Sequence, residues 1–329
     1  MTTRRELLIA LGAVALSGPI DSSGQQAGRV YRIGHLSGSG EGASKAFMDA
    51  FRVGMRERGY VEKQNFTLEE RYADGKVDRL PALAQELIAL KCDLLLVSTT
   101  PGNLAAKAAT TTIPIVMVLI ADPVGAGVVS NLQRPGGNIT GVTNIVAELT
   151  GKRLEILKEI LPASSRIAVF VNPNDQNAPL QMRYAEGAAR SLKIELRPVH
   201  EIRTPADLKP AFDAAAGARA HGILRMVDPL VFILRAQTAD MAVQYRLPMM
   251  HVFREDVEAG GLVAYGANVP DQYRQAAALV DKILKGAKPG DLPVEQPSKF
   301  ELAVNLKTAK AIGISIPQSI VLRADKVIE

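Results

Sequence analysis

The sequence predicts an α/β protein made of two Rossmann-like, doubly wound lobes joined by a hinge. Short β-branched and aliphatic runs alternate with longer segments of helical period, which is typical of parallel strands covered by helices. The alternation runs through once and then starts again. At 329 residues the chain is long enough for two domains of roughly 100–200 residues each. We therefore expect one chain that passes through two similar lobes with a cleft between them.

The first unit contains four predicted strands and three predicted helices. The strands are predicted at residues 31–36, 66–72, 93–98 and 115–120. The helices are predicted at residues 44–58, at residues 78–90 and from residue 101 onward. Gly59 is expected to end the first helix, because glycine readily adopts the left-handed conformation found at helix C-termini.

The second unit repeats this pattern. Its helices are predicted at residues 149–161, 178–192, 205–216 and from 229, and its strands at residues 166–171, 195–199, 222–227 and 249–253. We assign residues 29–142 and about 268–298 to lobe 1, and residues 143–267 to lobe 2. Residues 299–329 are a C-terminal crossover segment that the sequence assigns to neither lobe. Hinge strands are expected near residues 141–143 and 266–268, with a third crossing near residue 300.

The N-terminus has the features of an export signal. Arg4 and Arg5 precede an apolar segment, residues 7–16, and a polar exit through residue 26. The apolar segment is about half of the roughly 20 residues that a membrane-spanning helix needs. The paired arginines resemble a twin-arginine signal, with an ordinary Sec signal as the alternative, and the cleavage site stays open. We predict a signal peptide over residues 1–26 and a periplasmic mature protein.

Composition and motifs argue against several classes of protein. The net charge of +5 is spread along the chain without a basic block interleaved with aromatics, so we expect no nucleic-acid partner. A single cysteine, Cys92, cannot form an internal disulfide or a cysteine-built metal site. The four histidines lack metal-ligand spacing, and nucleophile-elbow and phosphate-loop motifs are missing from the sequence. We expect no catalytic residues, no metal and no cofactor; an enzyme on the same scaffold is the less favoured alternative.

Candidate ligand-binding residues lie where predicted strands end. A small polar residue precedes proline at four strand ends: Thr100-Pro101, Asp122-Pro123, Asn172-Pro173 and Asp228-Pro229. In open α/β sheets ligands lie outside the carboxyl ends of the strands, so these corners should face the cleft. Such pairs are also good helix caps, and a purely structural role for any one of them stays open.

The chemistry of these corners favours an amino-acid-like ligand or another small carboxylate. The helix N-terminus at Thr100 suits a carboxylate, and Asp122 or Asp228 can accept hydrogen bonds from an ammonium or amide. After the first strand, Ser37 and Ser39 lie in a glycine-rich loop whose spacing fails the dinucleotide-binding motif. They are candidate hydrogen-bond donors to a small ligand, with a flexible loop as the alternative.

Several motifs together resemble a known family. They include Gly59-Tyr60-Val61-Glu62, Arg134-Pro135-Gly136-Gly137-Asn138, Gly151-Lys152-Arg153-Leu154-Glu155 and Leu292-Pro293-Val294-Glu295-Gln296-Pro297. From about residue 30 to the C-terminus the chain resembles ABC-transporter substrate-binding proteins related to tryptophan/tyrosine-type binding proteins, with a type I periplasmic-binding fold. The resemblance implies export, a small-molecule ligand in the cleft and an ABC permease partner in the inner membrane. We further expect the lobes to close on the ligand about the hinge, and the protein to be monomeric.

The resemblance also implies a set of ligand contacts. The residues at the matching positions are Ser37, Thr99, Thr100, Asp122, Asn174 and Asp228, with Phe253 and Tyr265 as candidates to pack on an apolar part of the ligand. Aromatic amino acids are the leading ligand by relationship, although a chain without tryptophan and with 5% aromatics offers no obvious aromatic cage. A ligand sensor that signals to a membrane receptor is the alternative function.

Overall fold

A computed structural model describes residues 29–297 and 299–329, and the predicted signal peptide, residues 1–26, lies outside the described residues. The chain forms two sheets of five and seven strands, each flanked by helices. This confirms the predicted two-lobed α/β fold. No helix in the described part of the chain is both long and apolar enough to cross a membrane.

Lobe 1 is built on a fully parallel five-stranded sheet in the order β2-β1-β3-β4-β5. Its strands are β1 (Tyr31–Ser37), β2 (Phe66–Tyr72), β3 (Leu94–Ser98), β4 (Ile115–Ile120) and β5 (Ile139–Thr143). The helices between them are α1 (Glu41–Arg56), α2 (Leu80–Ala89) and α3 (Thr100–Ala109). The first helix begins three residues before its predicted start, and Gly59 lies in the left-handed region, at φ +86°, just after it ends.

Lobe 2 is built on a seven-stranded sheet in the order β12-β11-β10-β9-β8-β6-β7. Its strands are β6 (Arg166–Val171), β7 (Glu195–Glu201), β8 (Gly222–Arg225), β9 (Met249–His251), β10 (Val263–Ala267), β11 (Phe300–Asn305) and β12 (Lys326–Ile328). Its helices are α4 (Leu149–Ile160), α5 (Ala178–Leu192), α6 (Leu208–Gly217), α7 (Pro229–Gln244), α8 (Arg254–Glu258), α10 (Leu306–Ile312) and α11 (Gln318–Arg323). Only the β10–β11 pair of the seven-stranded sheet is antiparallel, because β11 enters it after an excursion through lobe 1.

That excursion is made by α9 (Val269–Leu284), which packs on α1 rather than on the lobe 2 sheet. The two helices approach closely at Gly54, where a Cβ atom would lie 2.9 Å from the Cβ of Ala277. Tyr273 of α9 is buried in the same apolar cluster as Phe47 and Phe51 of α1. The core of lobe 1 therefore includes a helix that follows most of lobe 2 in the sequence.

The chain passes between the lobes three times, and two of the passages are hydrogen-bonded to each other. The backbone N–H of Glu295 donates to the carbonyl of Gly141 at 2.8 Å, and the N–H of Thr143 donates to the carbonyl of Glu295 at 2.9 Å. Gly141 has φ +153° and lies against β4, where a Cβ atom would meet the Met117 carbonyl oxygen at 2.1 Å. Only glycine fits this position without displacing the neighbouring strand.

The substitution Gly141→Ala is expected to lower the free energy of unfolding by about 3 kcal/mol, because both its backbone conformation and its contact with Met117 exclude a side chain. Thermal unfolding followed by circular dichroism measures the effect. Gly127→Ala is the matched control: its φ is also positive, at +71°, but no atom lies within 4 Å of the added Cβ. Equal losses in the two variants would contradict the close approach of β5 to β4.

Candidate functional site

A narrow cavity lies between the two lobes at the carboxyl ends of their strands, with ≈ 30 Å³ accessible to the centres of water molecules. Lobe 1 and the first crossing segment line it with Thr99, Thr100, Pro101, Leu119, Ala121, Asn144 and Val146. Lobe 2 lines it with Asp175, Asn177, Val227, Asp228, Phe232 and Phe253. We call it the interlobe cavity.

The N-terminus of α3 enters the cavity wall without a side-chain cap. Thr99 occupies the cap position, but its backbone, at φ +68° and ψ 154°, is in a region that non-glycine residues rarely adopt. Its Oγ1 atom is buried and has no hydrogen-bond partner. By contrast, Asp228, Asn268 and Asn305 cap α7, α9 and α10 with their side chains. The uncapped first turn of α3 therefore presents the positive end of a helix dipole to the cavity.

Two buried carboxyl groups line the cavity from lobe 2. Asp228 ends the loop after β8 and accepts a hydrogen bond from the Leu230 N–H at 2.5 Å, which caps α7. Asp175 lies in the loop after β6 and accepts from the Asn177 N–H at 2.7 Å. No lysine or arginine is among the residues that line this cavity. An ammonium group on a ligand would meet two acidic side chains here, with Arg225 lying behind Asp228.

Burial controls the protonation of both acids. It raises the pKa of Asp175 to about 6, and the negative charge of Asp228 adds to the effect. Burial also raises the pKa of Asp228, while the Arg225 guanidinium opposes that shift. Arg225 is itself buried, and its Nη2 lies 3.9 Å from the Asp228 Oδ2. A cationic ligand group would stabilise the ionised form of both acids.

The apolar part of the cavity is centred on two stacked phenylalanines. The rings of Phe232 and Phe253 lie 4.9 Å apart with an interplanar angle of 19°. Phe47 of lobe 1 meets Phe232 edge-to-face at 5.4 Å, so the stack is held from the opposite lobe. A ligand side chain with a flat apolar face matches this surface.

The lobes also touch through one buried hydrogen bond at the cavity rim. The Asn177 amide donates from Nδ2 to Thr100 Oγ1 at 3.1 Å. Asn177 is in the loop before α5 of lobe 2, and Thr100 is the first residue of α3 in lobe 1. Together with the Phe47–Phe232 contact, this bond describes an arrangement in which the lobes are closed on one another.

The structure brings together four of the nine residues singled out in the sequence: Thr99, Thr100, Asp228 and Phe253. The other five do not line the interlobe cavity. Ser37 and Ser39 are buried below it, where the Ser37 hydroxyl accepts a hydrogen bond from the Ser39 N–H. Tyr265 packs against Phe300 within the lobe 2 sheet.

Asp122 and Asn174 lie in two neighbouring interlobe clefts. Asp122 closes its own turn by accepting from the Gly125 N–H at 2.7 Å, and it shares its cleft with Arg183. Asn174 lines a cleft with Lys76 and Arg203. Asp175, which directly follows Asn174 in the sequence, lines the interlobe cavity, whereas neither Asp122 nor Asn174 does.

The sequence reasoning missed Asp175, Asn177, Leu119 and Phe232. The loop over residues 172–177 contains a run of small polar residues, which indicated a site without indicating which side chains turn inward. Phe232 lies one helical turn after the Asp228-Pro229 corner, a spacing that could have flagged it. Within residues 29–297 and 299–329, no group of three or more His, Cys, Asp or Glu side chains is placed to hold a metal ion.

Two separate α/β sheets with a cleft between their carboxyl edges define the type I periplasmic-binding architecture. Comparisons with known proteins support the same architecture. Residues 39–328 match the family described as ABC transporter substrate binding protein. The chain belongs to this family.

The chain is also similar to individual proteins. The tyrosine-binding protein of Clostridioides difficile strain R20291 is 26% identical over 273 residues, covering 83% of this chain and 76% of that protein. A solved conserved domain protein from Vibrio cholerae O1 biovar El Tor is 28% identical with a TM-score of 0.83, covering 91% of this chain and 99% of the other. An ABC domain from Streptococcus pneumonia in complex with L-Trp gives 23% identity, the same TM-score and the same coverage.

The raised pKa of Asp175 predicts a pH-dependent stability. Its ordinary value is 3.8, so the folded state binds this proton more tightly than the unfolded chain does. Between pH about 4 and about 6 the ligand-free wild type should therefore lose stability, relative to Asp175→Asn, as pH rises; the full difference is about 3 kcal/mol. Thermal unfolding of both proteins across this range measures it. A difference that is constant with pH would contradict the buried carboxyl.

Proposed function

We propose that this protein captures an α-amino acid with a large apolar side chain, aromatic by preference, and presents it to an ABC permease. It acts without chemistry on the ligand, as a binding subunit of an importer. The observation that carries the proposal is the division of charge across the interlobe cavity: the uncapped N-terminus of α3 from lobe 1, and Asp175 with Asp228 from lobe 2.

A zwitterion satisfies both walls at once. Its carboxylate would accept hydrogen bonds from the first-turn N–H groups of α3 and from the Thr99 or Thr100 hydroxyl. Its ammonium would donate to Asp228 and Asp175. Its side chain would then lie against the Phe232–Phe253 stack. A ligand without an ammonium offers no donor to the two buried acids, and a ligand without a carboxylate leaves α3 uncapped.

The same division of charge explains why binding would close the lobes. The α-carbon of an amino acid joins its two charged groups, so each lobe would hold one end of the same small molecule. The ligand gains both sets of contacts only when the lobes meet, and it therefore favours the closed arrangement by its differential affinity. The three crossing segments serve as the hinge in this proposal.

Relatives support both the ligand and the role. A tyrosine-binding protein is among them, and a solved protein of the same fold holds L-Trp. Family membership supports delivery of the ligand to an ABC permease in the inner membrane. We propose that the mature protein works outside that membrane as a monomer, exported by the N-terminal signal predicted from the sequence.

Ligand analogues test the zwitterion requirement. L-Tryptophan, L-tyrosine or L-phenylalanine at a hundredfold excess over its Kd is expected to add about 2.7 kcal/mol to the unfolding free energy in thermal-shift measurements. Tryptamine, which lacks the carboxylate, and indole-3-propionate, which lacks the ammonium, should give no comparable shift. Equal shifts from either analogue, or a response to sugars alone, would overturn the proposal.

The acidic wall is tested by Asp228→Asn, which keeps a side-chain oxygen to cap α7 and removes the charge. Loss of a charged hydrogen bond to the ammonium is expected to weaken amino-acid binding by about 1.5–3 kcal/mol in titration calorimetry. Asp122→Asn is the control, because it makes the same charge change outside the interlobe cavity and keeps its own turn. Unchanged affinity in Asp228→Asn, or an equal loss in Asp122→Asn, would contradict the assigned ammonium site.

A further inference from the structure

The strand β4 contains an irregularity just where it reaches the interlobe cavity. Met117 of β4 pairs with Gly141 of β5, but the next paired residues are Ile120 and Thr143. Three steps along β4 thus correspond to two along β5, which is a bulge of one extra residue. Leu119 lies in this bulge with φ +54°, in the left-handed region.

The bulge changes the direction of one side chain. Along β4, Ile115 and Met117 point to the α2–α3 side of the sheet, and Val116 and Val118 point to the α1–α9 side. In a regular strand Leu119 would return to the α2–α3 side. Instead it lies in the same cluster as Val118, and Ile120 resumes the alternation one residue late.

This displacement places the leucine side chain in the cavity wall. Leu119 lines the interlobe cavity and is 8% exposed, whereas Val118 is fully buried and does not line it. The only other lining residue from the end of β4 is Ala121, which is small. Leu119 is therefore the bulkiest apolar group that this strand contributes, and it shares the cavity with Phe232 and Phe253 of lobe 2.

The conformation also fixes the backbone from which this side chain projects. An L-residue with φ near +54° is unfavourable, and such residues persist only where their surroundings hold them; they are concentrated at ligand clamps. The paired strand is fixed as well, because Gly141 lies against Met117 with no room for a side chain. The two strands therefore hold the Cα of Leu119 in place at the cavity wall.

We propose that Leu119 determines specificity by limiting the size of the ligand side chain that fits between β4 and the Phe232–Phe253 stack. The inference rests on the proposed function and adds the residue that distinguishes one aromatic amino acid from another. It separates two tasks within the cavity. The α3 N-terminus and the two acids select the amino-acid group, and the bulged leucine selects the side chain.

The test compares the affinities of L-phenylalanine and L-tryptophan in Leu119→Ala and Leu119→Gly. Each variant enlarges the apolar part of the cavity without touching the charged walls. The ratio Kd(L-phenylalanine)/Kd(L-tryptophan), measured by titration calorimetry, is expected to rise at least tenfold over that of the wild type. The glycine variant also accepts the left-handed backbone without strain, which keeps the test available if the alanine variant folds poorly.

Val118→Ala is the matched control. It removes an apolar side chain from the neighbouring position, on the same face of the same strand, outside the cavity lining. It should lower thermal stability and leave the affinity ratio unchanged. A ratio that stays constant in the folded Leu119 variants, or that changes equally in Val118→Ala, overturns the inference while the proposed function stands. Failure of the wild type to bind either amino acid overturns the proposed function and this inference with it.

Discussion

The structure depends on one geometric constraint: parallel strands with helical connections place all their carboxyl ends, and the helix N-termini that follow, along one edge of each sheet. Here two such edges face each other across a cavity. Lobe 1 contributes the start of α3, and lobe 2 contributes the start of α7 with its capping carboxylate Asp228. The difference between these two helix ends gives the cavity its chemistry. One is left without a cap, and the other is capped by an acid that also faces the cavity.

The acidic side of the cavity is supported by buried charge behind it. Arg225, at the end of β8, lies under Asp228, and its Nη atoms have no other partner. Asp256, also buried, accepts from the backbone N–H groups of Val252 and Phe253. Burial raises the pKa of both Asp228 and Asp256, and the positive charge of Arg225 opposes both shifts, so Arg225 links the Asp228 corner to the turn that holds Phe253. The apolar and acidic parts of the cavity are thus held by a common framework in lobe 2.

The fold could be predicted from the sequence because its signals are local and repeated. Alternating strand and helix periods, with proline after a small polar residue, locate the strand ends that carry Thr100 and Asp228, whereas Thr99 and Phe253 are predicted from the family resemblance. The prediction of individual contacts was less complete, because side-chain direction in a loop depends on hydrogen bonds that the sequence does not reveal. The Asp122 carboxylate accepts a hydrogen bond from the Gly125 N–H within its own turn. The Asp175 carboxylate accepts one from the Asn177 N–H and faces the interlobe cavity.

Leu119 shows the limit of pattern reasoning more sharply. Every residue of β4 is apolar, so a shift of one position leaves the hydrophobic pattern unchanged. A left-handed backbone conformation is usually predicted from glycine or asparagine in the sequence, but here the left-handed position is occupied by leucine. Only the pairing of β4 with β5 reveals the bulge, and that pairing joins residues more than 20 positions apart.

The path of α9 has a consequence for how the chain is made. The sheet of lobe 1 is complete by residue 143, but one of its faces is covered only by α1 until α9, at residues 269–284, packs beside that helix. The sheet of lobe 2, in turn, is complete only when β11 and β12 near the C-terminus have been added to it. A ribosome therefore releases almost the whole polypeptide before either half can finish burying its apolar surface. Apolar surface that stays exposed during synthesis promotes aggregation, and the late arrival of these elements prolongs that exposure for both lobes.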